Sequence, residues 1–335
     1  MGYMKRLLPL LVAFDLVGPH STSSDRWLPL VQPSRHFVET FGGDGAVSCG
    51  LSLCGYLGCT MDLRLDGRHD ILTPVGFMTT LALILGVATG GMVWFAPPCS
   101  TWVWMSRAST KRSDNAKGPA GDESNPNVYR QNCLVGRICY MIALCYHLGI
   151  NFVIEQPSSS VMFKYSRMKK LLDRIDRALL RRKMGQIEWV CVEMGCWTLE
   201  MAKPLFLVGW GPHLADCGRR MSTEERHMMK HYGHKKDTAF HWTEGGKKRS
   251  RGGPDLKSSQ SYPIGFGCHH ALHFSAVVPL TDPSEHPHQL LDLSDTESDS
   301  SIEEEDPCLA DIIFNKPSFF SGTVQQGNEM KVGLK

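Results

Sequence analysis

Apolar and polar positions divide this chain into short segments of alternating type. His36 to Thr40 is a brief apolar-rich run that reads as a strand, and Phe41-Gly42-Gly43-Asp44-Gly45 is a glycine turn into a helix over Ala46 to Cys54. Gly55-Tyr56 ends that helix. Leu57 to Leu63 reads as a second strand finishing at Asp62, and His69 to Leu72 as a third, shorter one. Pro74 opens a helix to about Val87, since proline fits the first helical turn. Glycines then turn the chain into a fourth strand, Met92 to Ala96, which Pro97-Pro98 must stop because proline has no N–H for a ladder.

Arg107 to Gln131 is polar and rich in Ser, Asn, Gly and Pro, the signature of a long functional loop or insert. Cys133 to Leu148 is a strongly apolar helix, and Asn151 to Ile154 a fifth strand stopped by Glu155-Gln156-Pro157. Val161 to Leu180 is amphipathic, with Met168, Leu171, Leu172, Ile175 and Leu179 on one face. Ile187 to Met194 and Pro204 to Val208 read as further strands, and Gly265 to Ser275 as a last helix. This alternation predicts an α/β fold with a mostly parallel sheet flanked by helices. The expected organisation is an N-terminal extension over 1–34, a core over 35–210, a short basic segment over 211–257, a C-terminal helix returning to the core over 258–280, and an acidic, disordered tail over 281–335.

The net charge of +2 conceals an uneven distribution. Lys164 to Lys183 holds nine Lys/Arg against two Asp, and Asp282 to Asp306 holds ten acids with no Lys or Arg, so an anionic partner is expected for the body. Twelve cysteines without a CxxC pair fit neither a zinc site nor a disulfide framework, and imply a reducing compartment, cytosol or nucleus. His227, His231 and His234 lie in a basic segment and lack an acid to complete a metal motif, so no metal is expected. Phe77 to Ala96 is 20 residues without a charge, which leaves a membrane-anchored protein as an alternative; its glycines and the Pro-Pro stop argue against a span. Leu7 to Phe14 could form a signal-peptide core, although Pro9 lies inside it.

The candidate chemistry sits at strand ends, where open α/β sheets place their ligands. Phe41-x-Gly43-x-Gly45 between strand and helix is a cofactor loop or an ordinary glycine turn. Asp62 closes the next strand, where a carboxylate can hold ribose hydroxyls. Cys99 and Glu155 end the strands on either side of the long loop, and a desolvated carboxyl there could stay protonated.

In that order, Phe-x-Gly-x-Gly, a strand-end acid, Asp-Ile, Pro-Pro-Cys and Glu-x-Pro resemble the DNA cytosine-5 methyltransferases, which are S-adenosylmethionine-dependent enzymes of the Rossmann-like class I fold. The resemblance spans about Arg35 to Val208 and, faintly, Leu256 to Phe274. It implies S-adenosyl-L-methionine as cofactor, held by Phe41, Gly43, Gly45, Asp62, Asp70, Ile71 and Pro97. It makes Cys99 the nucleophile on C6 of cytosine, Glu155 the group that grips N3, and Lys203 a third catalytic candidate. It implies a DNA substrate, with RNA as the alternative, contacted by Arg107, Lys111, Arg112, Arg130, Lys164, Lys169 and Lys170. The chain departs from the family pattern at Val103, where serine is usual, at Gln156-Pro157 in place of Asn-Val, and in lacking a Gln-x-Arg-x-Arg motif. A catalytically degenerate relative that binds nucleic acid or cofactor without turnover is the second expectation. Ser294, Ser300 and Ser301 each precede an acid by three positions and match an acidophilic kinase.

Overall fold

The computed structural model describes residues 32–115, 118–233, 239–256, 260–286, 288 and 291. Six strands form the central sheet: β1 (Arg35–Thr40), β2 (Gly58–Met61), β3 (Val87–Phe95), β4 (Asn151–Pro157), β5 (Glu188–Glu193) and β6 (Pro204–Trp210). Their spatial order is β2-β1-β3-β4-β6-β5. The first four pair in parallel, and β6 runs antiparallel to both of its neighbours. From β1 the chain passes first to β2 on one side and then to β3 on the other. The carboxyl ends of β1 and β3 therefore flank a topological switch point, where the crossover connections part and leave a crevice.

Helices cover both faces of the sheet, which is why the middles of its central strands carry apolar residues on both faces, while their ends carry the buried polar residues Glu39, Thr40, Glu155 and Gln156. On one face Val38, Val93, Phe95, Phe152 and Ile154 pack against α2 (Pro74–Leu85), α4 (Pro126–His147) and α5 (Ser166–Arg182). On the other, Phe37, Met92, Trp94 and Val153 pack against α1 (Ala46–Leu53) and α7 (Ile264–Val277). Helices α1 and α7 meet backbone to backbone: a Cβ on Gly267 would lie 1.8 Å from the Ala46 carbonyl oxygen, and one on Gly50 would lie 2.4 Å from the Gly267 backbone. The short α3 (Arg107–Thr110) follows the turn after β3, and α6 (Thr223–Tyr232) opens with a capping box in which Ser222 and Glu225 satisfy each other's backbone N–H. A separate hairpin pairs β7 (Ala239–Glu244) with β8 (Lys247–Gly252).

Several sequence expectations need correction. The third strand expected at His69 to Leu72 is a 3-10 turn, Gly67–His69, followed by the Thr73 cap of α2. Asp66 and Thr73 side chains accept local backbone N–H bonds there, offering the chain an alternative to a ladder. The strand expected to begin at Met92 begins at Val87; Gly90 and Gly91 lie within it, beside a register shift against β1. The stretch Phe77 to Ala96 is thus a helix and a strand joined at Gly86, which excludes the continuous helical span. No helix among the described residues is long and apolar enough to cross a membrane. The polar loop is shorter than expected, because Asn125 caps α4 and Pro126 starts it. Residues 281–286, 288 and 291, assigned from sequence to a disordered tail, pack on the domain: Leu291 is buried and its N–H donates to the His147 carbonyl. Residues 1–31, His234, Ser294, Ser300 and Ser301 lie outside the described residues.

Candidate functional site

The glycine loop after β1 is built from three left-handed residues. Phe41 has φ +57, Gly43 +60 and Gly45 +71, so two positions suit glycine and Phe41 is held there by its surroundings. Gly45 is the N-cap of α1 and carries no side chain to satisfy the first turn. Glu39, unremarked in the sequence reading, supplies that function from the end of β1: its Oε2 accepts the Ser48 N–H at 2.8 Å. Glu39 is fully buried, and its Oε1 has no hydrogen-bond partner. Burial pushes its carboxyl up, against the hydrogen bonds from Ser48 and Thr60. Its position one strand residue before the glycine turn was the available sequence signal, obscured by an acid's ordinary preference for the surface.

Asp62 braces this loop, as its Oδ2 accepts the Gly43 N–H at 2.9 Å and its Oδ1 accepts the Arg64 N–H at 2.8 Å. A carboxylate has about four acceptor sites, so capacity remains for a hydroxyl. Asp70 is held by the Leu72 N–H and by Arg130 at 3.1 Å. The Ile71 side chain is buried in the core, and its carbonyl accepts from the buried Arg137. Glu39, the loop, and Asp62 thus share one end of the sheet, with Asp70 and Ile71 in the turn that follows.

The second half of the site lies at the ends of β3 and β4. After β3, Pro97-Pro98 stop the ladder, and the Cys99 carbonyl accepts the N–H groups of Trp102 and Val103 at 2.8 and 3.2 Å. This turn presents the Cys99 thiol to a cleft of about 800 Å³, whose walls include Trp104, Met201, Lys203, Met229 and Lys230. Trp102, by contrast, is fully buried and serves the core. Gln156 on β4 donates to the Pro97 carbonyl at 2.7 Å, while Ser160 donates to its Oε1 at 2.9 Å. Pro97 is therefore a structural anchor of the turn.

Glu155 precedes Gln156 and is buried. Its Oε2 accepts from the Tyr262 hydroxyl, and its Oε1 has no hydrogen-bond partner. Burial pushes Glu155 up, opposed by the Lys203 ammonium and the Tyr262 hydrogen bond. Burial, with a further contribution from Glu155, pushes the Cys99 thiol up to about 11, opposed by Lys203. Lys203 has φ +25, an uncommon backbone state for a non-glycine residue, and its Nζ is 5.5 Å from the Tyr262 ring centroid. The structure thus brings Cys99, Glu155 and Lys203 into one electrostatic group, with Tyr262 added.

The expected nucleic-acid contacts fare unevenly. Arg112 is buried, stacks 3.4 Å from the Trp102 ring centroid, and donates to Asn132 at 2.8 Å and to the Pro119 carbonyl at 2.5 Å. It ties the loop to α4 and is not available to a phosphate, which corrects the sequence expectation. Arg107 and Lys164 share Asp114, each at 2.8 Å. Lys169 pairs with Asp173, Lys111 bonds the Ala108 carbonyl at 2.9 Å, and Lys170 is exposed on α5. The exposed lysines among these can exchange such partners for phosphates at small cost, whereas Arg107 is half-buried. No group of three His, Cys, Asp or Glu among the described residues is arranged to hold a metal. The chain matches no protein-family model, and no curated protein matches its sequence.

Proposed function

We propose that the chain is an S-adenosylmethionine-dependent methyltransferase of the Rossmann-like class I type, acting on C5 of cytosine in DNA. The observation that carries this reading is the convergence of Cys99 and Lys203 on one cleft with the buried Glu155 in electrostatic contact with both, from the ends of β3 and β4 and the residue before β6. The resemblance noted in the sequence assigns the nucleophile and its acid to the first two of these residues.

The cofactor side fits a molecule that carries an ammonium and vicinal hydroxyls. Glu39 Oε1 is a buried acceptor with no partner, and Asp62 retains acceptor capacity beside the left-handed glycine loop. When bound, the cofactor supplies an electrophilic methyl group. The remaining chemistry belongs to the chain. Glu155 gives N3 of cytosine a proton while Cys99 Sγ bonds to C6, so electrons from the C5–C6 double bond make C5 nucleophilic. After C5 is methylated, water takes the C5 proton, the C6–S bond breaks to restore the aromatic ring and the thiolate, and the N3 proton returns to Glu155. The Lys203 cation favours the charged form of both Cys99 and Glu155, and so offsets the charge that passes between them. The base must leave its stack to reach such a recess.

A second reading, binding without turnover, is favoured by the Cys99 thiol, which stands at about 11 in the unliganded protein and is a weak nucleophile at neutral pH. While Glu155 holds its proton, one cause of that elevation is absent and Lys203 remains in place, so the protonated carboxyl that serves N3 also favours the thiolate before the proton is passed on. Incubation with labelled S-adenosylmethionine and DNA containing 5-fluorocytosine separates the two readings. A covalent adduct that disappears in Cys99→Ser supports catalysis. No adduct under conditions where the cofactor binds would leave only binding, and an adduct with RNA alone would reassign the polymer.

A further inference from the structure

The Tyr262 hydroxyl is spent on a single partner, and that partner is Glu155. We propose that Tyr262 is the positioning residue of this site: it fixes the Glu155 proton on Oε1, the buried oxygen that has no hydrogen-bond partner of its own. This rests on the reading of Glu155 as the acid that serves N3.

Three observations carry it. First, the Tyr262 hydroxyl donates to Glu155 Oε2, so that oxygen acts as an acceptor. Oε1 is buried without a hydrogen-bond partner, so a proton on the carboxyl has one open oxygen on which to reside. Second, Tyr262 cannot readily exchange roles. Burial and the neighbouring Glu155 push its hydroxyl well above the ordinary phenol range, so it stays a donor wherever the protein is folded. Third, its place is set by the core. Tyr262 immediately precedes Pro263, the N-cap of α7, and its ring lies 5.1 Å from Phe266, which packs 5.9 Å from Trp94 on β3. The tight α1–α7 crossing at Gly50 and Gly267 fixes that helix against the sheet.

The same geometry gives a physical role to a sequence departure. No Gln-x-Arg-x-Arg motif follows β5, where Lys203 lies near the expected place, so a guanidinium does not orient Glu155 from there. A neutral phenol from the α7 segment does so instead, with the Lys203 ammonium 5.5 Å from its ring centroid. The substitution has a chemical consequence. A guanidinium would hold the carboxyl ionised, whereas a neutral donor leaves it able to keep a proton. The logic is that of an orienting residue that selects one tautomer of its catalytic neighbour.

The test uses the full chain and three variants: Tyr262→Phe, Glu155→Gln and the double variant. Each is assayed for the rate of adduct formation with 5-fluorocytosine DNA, for S-adenosylmethionine binding, and for the titration of Glu155. That titration is followed by carboxyl infrared absorption and assigned by the signal lost in Glu155→Gln. Tyr262→Phe should keep cofactor binding, slow adduct formation by about tenfold, and shift the Glu155 titration to higher pH, because a hydrogen bond to the charged form has gone. The double variant should be no slower than Glu155→Gln, since Tyr262 acts through Glu155. A wild-type rate in Tyr262→Phe, or losses that multiply in the double variant, would overturn the proposal. If the wild-type protein forms no adduct at all, the cytosine reading fails by itself. The Glu155 titration still decides the pairing: a shift in Tyr262→Phe retains it and an unmoved titration removes it.

Discussion

Gln156 on β4 holds the Pro97 carbonyl at 2.7 Å, joining the end of one parallel strand to the turn that ends its neighbour. Proline-rich turns have few N–H groups with which to fix themselves, so this side-chain donor sets where Cys99 points. Gln156 is fully buried and both ends of its amide are used, by Pro97 and by Ser160. Replacement by leucine would leave the Pro97 carbonyl and the Ser160 hydroxyl to find other partners. Gln156→Leu should lose about 1–3 kcal/mol of stability and lower adduct formation more than cofactor binding, because the glycine loop lies on the other side of the switch point. Chemical denaturation and the trapping assay check the two halves of this expectation.

Arg112 offers a contrast between a phosphate ligand and a structural cation. It is 1% exposed and packs on Trp102 while bonding the loop carbonyls and Asn132. Arg112→Met removes those bonds and leaves buried carbonyls unpaired, so thermal stability should fall by several degrees. The slope of nucleic-acid affinity against salt should stay as in wild type, since no phosphate contact is lost. Lys170→Gln, on the exposed face of α5, should do the reverse if that face meets the polymer. Melting curves and a salt titration of binding separate these outcomes.

The strand ends were legible in the sequence because their chemistry is local. Pro97-Pro98 must stop a strand, glycines at 43 and 45 suit a left-handed turn, and Glu155 stands two residues before Pro157. The start of β3 was not legible, because Gly90 and Gly91 read as a turn, whereas they form an irregularity inside the strand, with Gly90 at φ +78, between the Val87 and Met92 pairings to β1. Tyr262 was hidden for a different reason. It lies 107 positions from Glu155, and only the packing of α7 against α1 and β3 brings it to the carboxyl. Glu39 was overlooked because a fully buried acid is improbable from composition alone and becomes reasonable only once Ser48 supplies its donor.

The α1–α7 crossing predicts the largest single stability effect. Gly267 has no room for a methyl group, as its Cβ would overlap the Ala46 carbonyl oxygen at 1.8 Å. Gly267→Ala must push the helices apart, and with them Tyr262 and the start of α1 beside the glycine loop. Overpacking of this kind costs about 1–3 kcal/mol or more, and cofactor affinity should fall with it. By comparison, Gly67→Ala meets nothing within 4 Å and should be near neutral. Denaturation midpoints for the two variants, with calorimetry of S-adenosylmethionine binding, test the link between helix packing and the site.

Acid sensitivity follows from a buried histidine pair formed by His270 on α7 and His213, just after β6. His213 and His270 are almost fully buried with ring centroids 4.9 Å apart, and neither ring nitrogen of His213 has a hydrogen-bond partner. His270 Nδ1 lies 3.4 Å from Cys217 Sγ and its Nε2 lies 3.2 Å from Met92 Sδ, neither of which stabilises an imidazolium. Burial pushes His213 down from 6.5 to about 4, and pushes His270 well below 6.5 with its neighbouring imidazoles adding to the effect. Both are neutral in the fold and take up protons more readily when unfolded. Their contribution to stability is therefore complete above pH 6.5 and is lost as pH falls toward 4. For His213 alone the loss amounts to about 3 kcal/mol across that window. His213→Phe keeps a ring against Phe274, 5.1 Å away, and removes the titration. Urea midpoints measured from pH 7 to pH 4 should drop steeply in wild type and less steeply in His213→Phe; parallel curves for the two proteins would show that this pair does not govern acid unfolding.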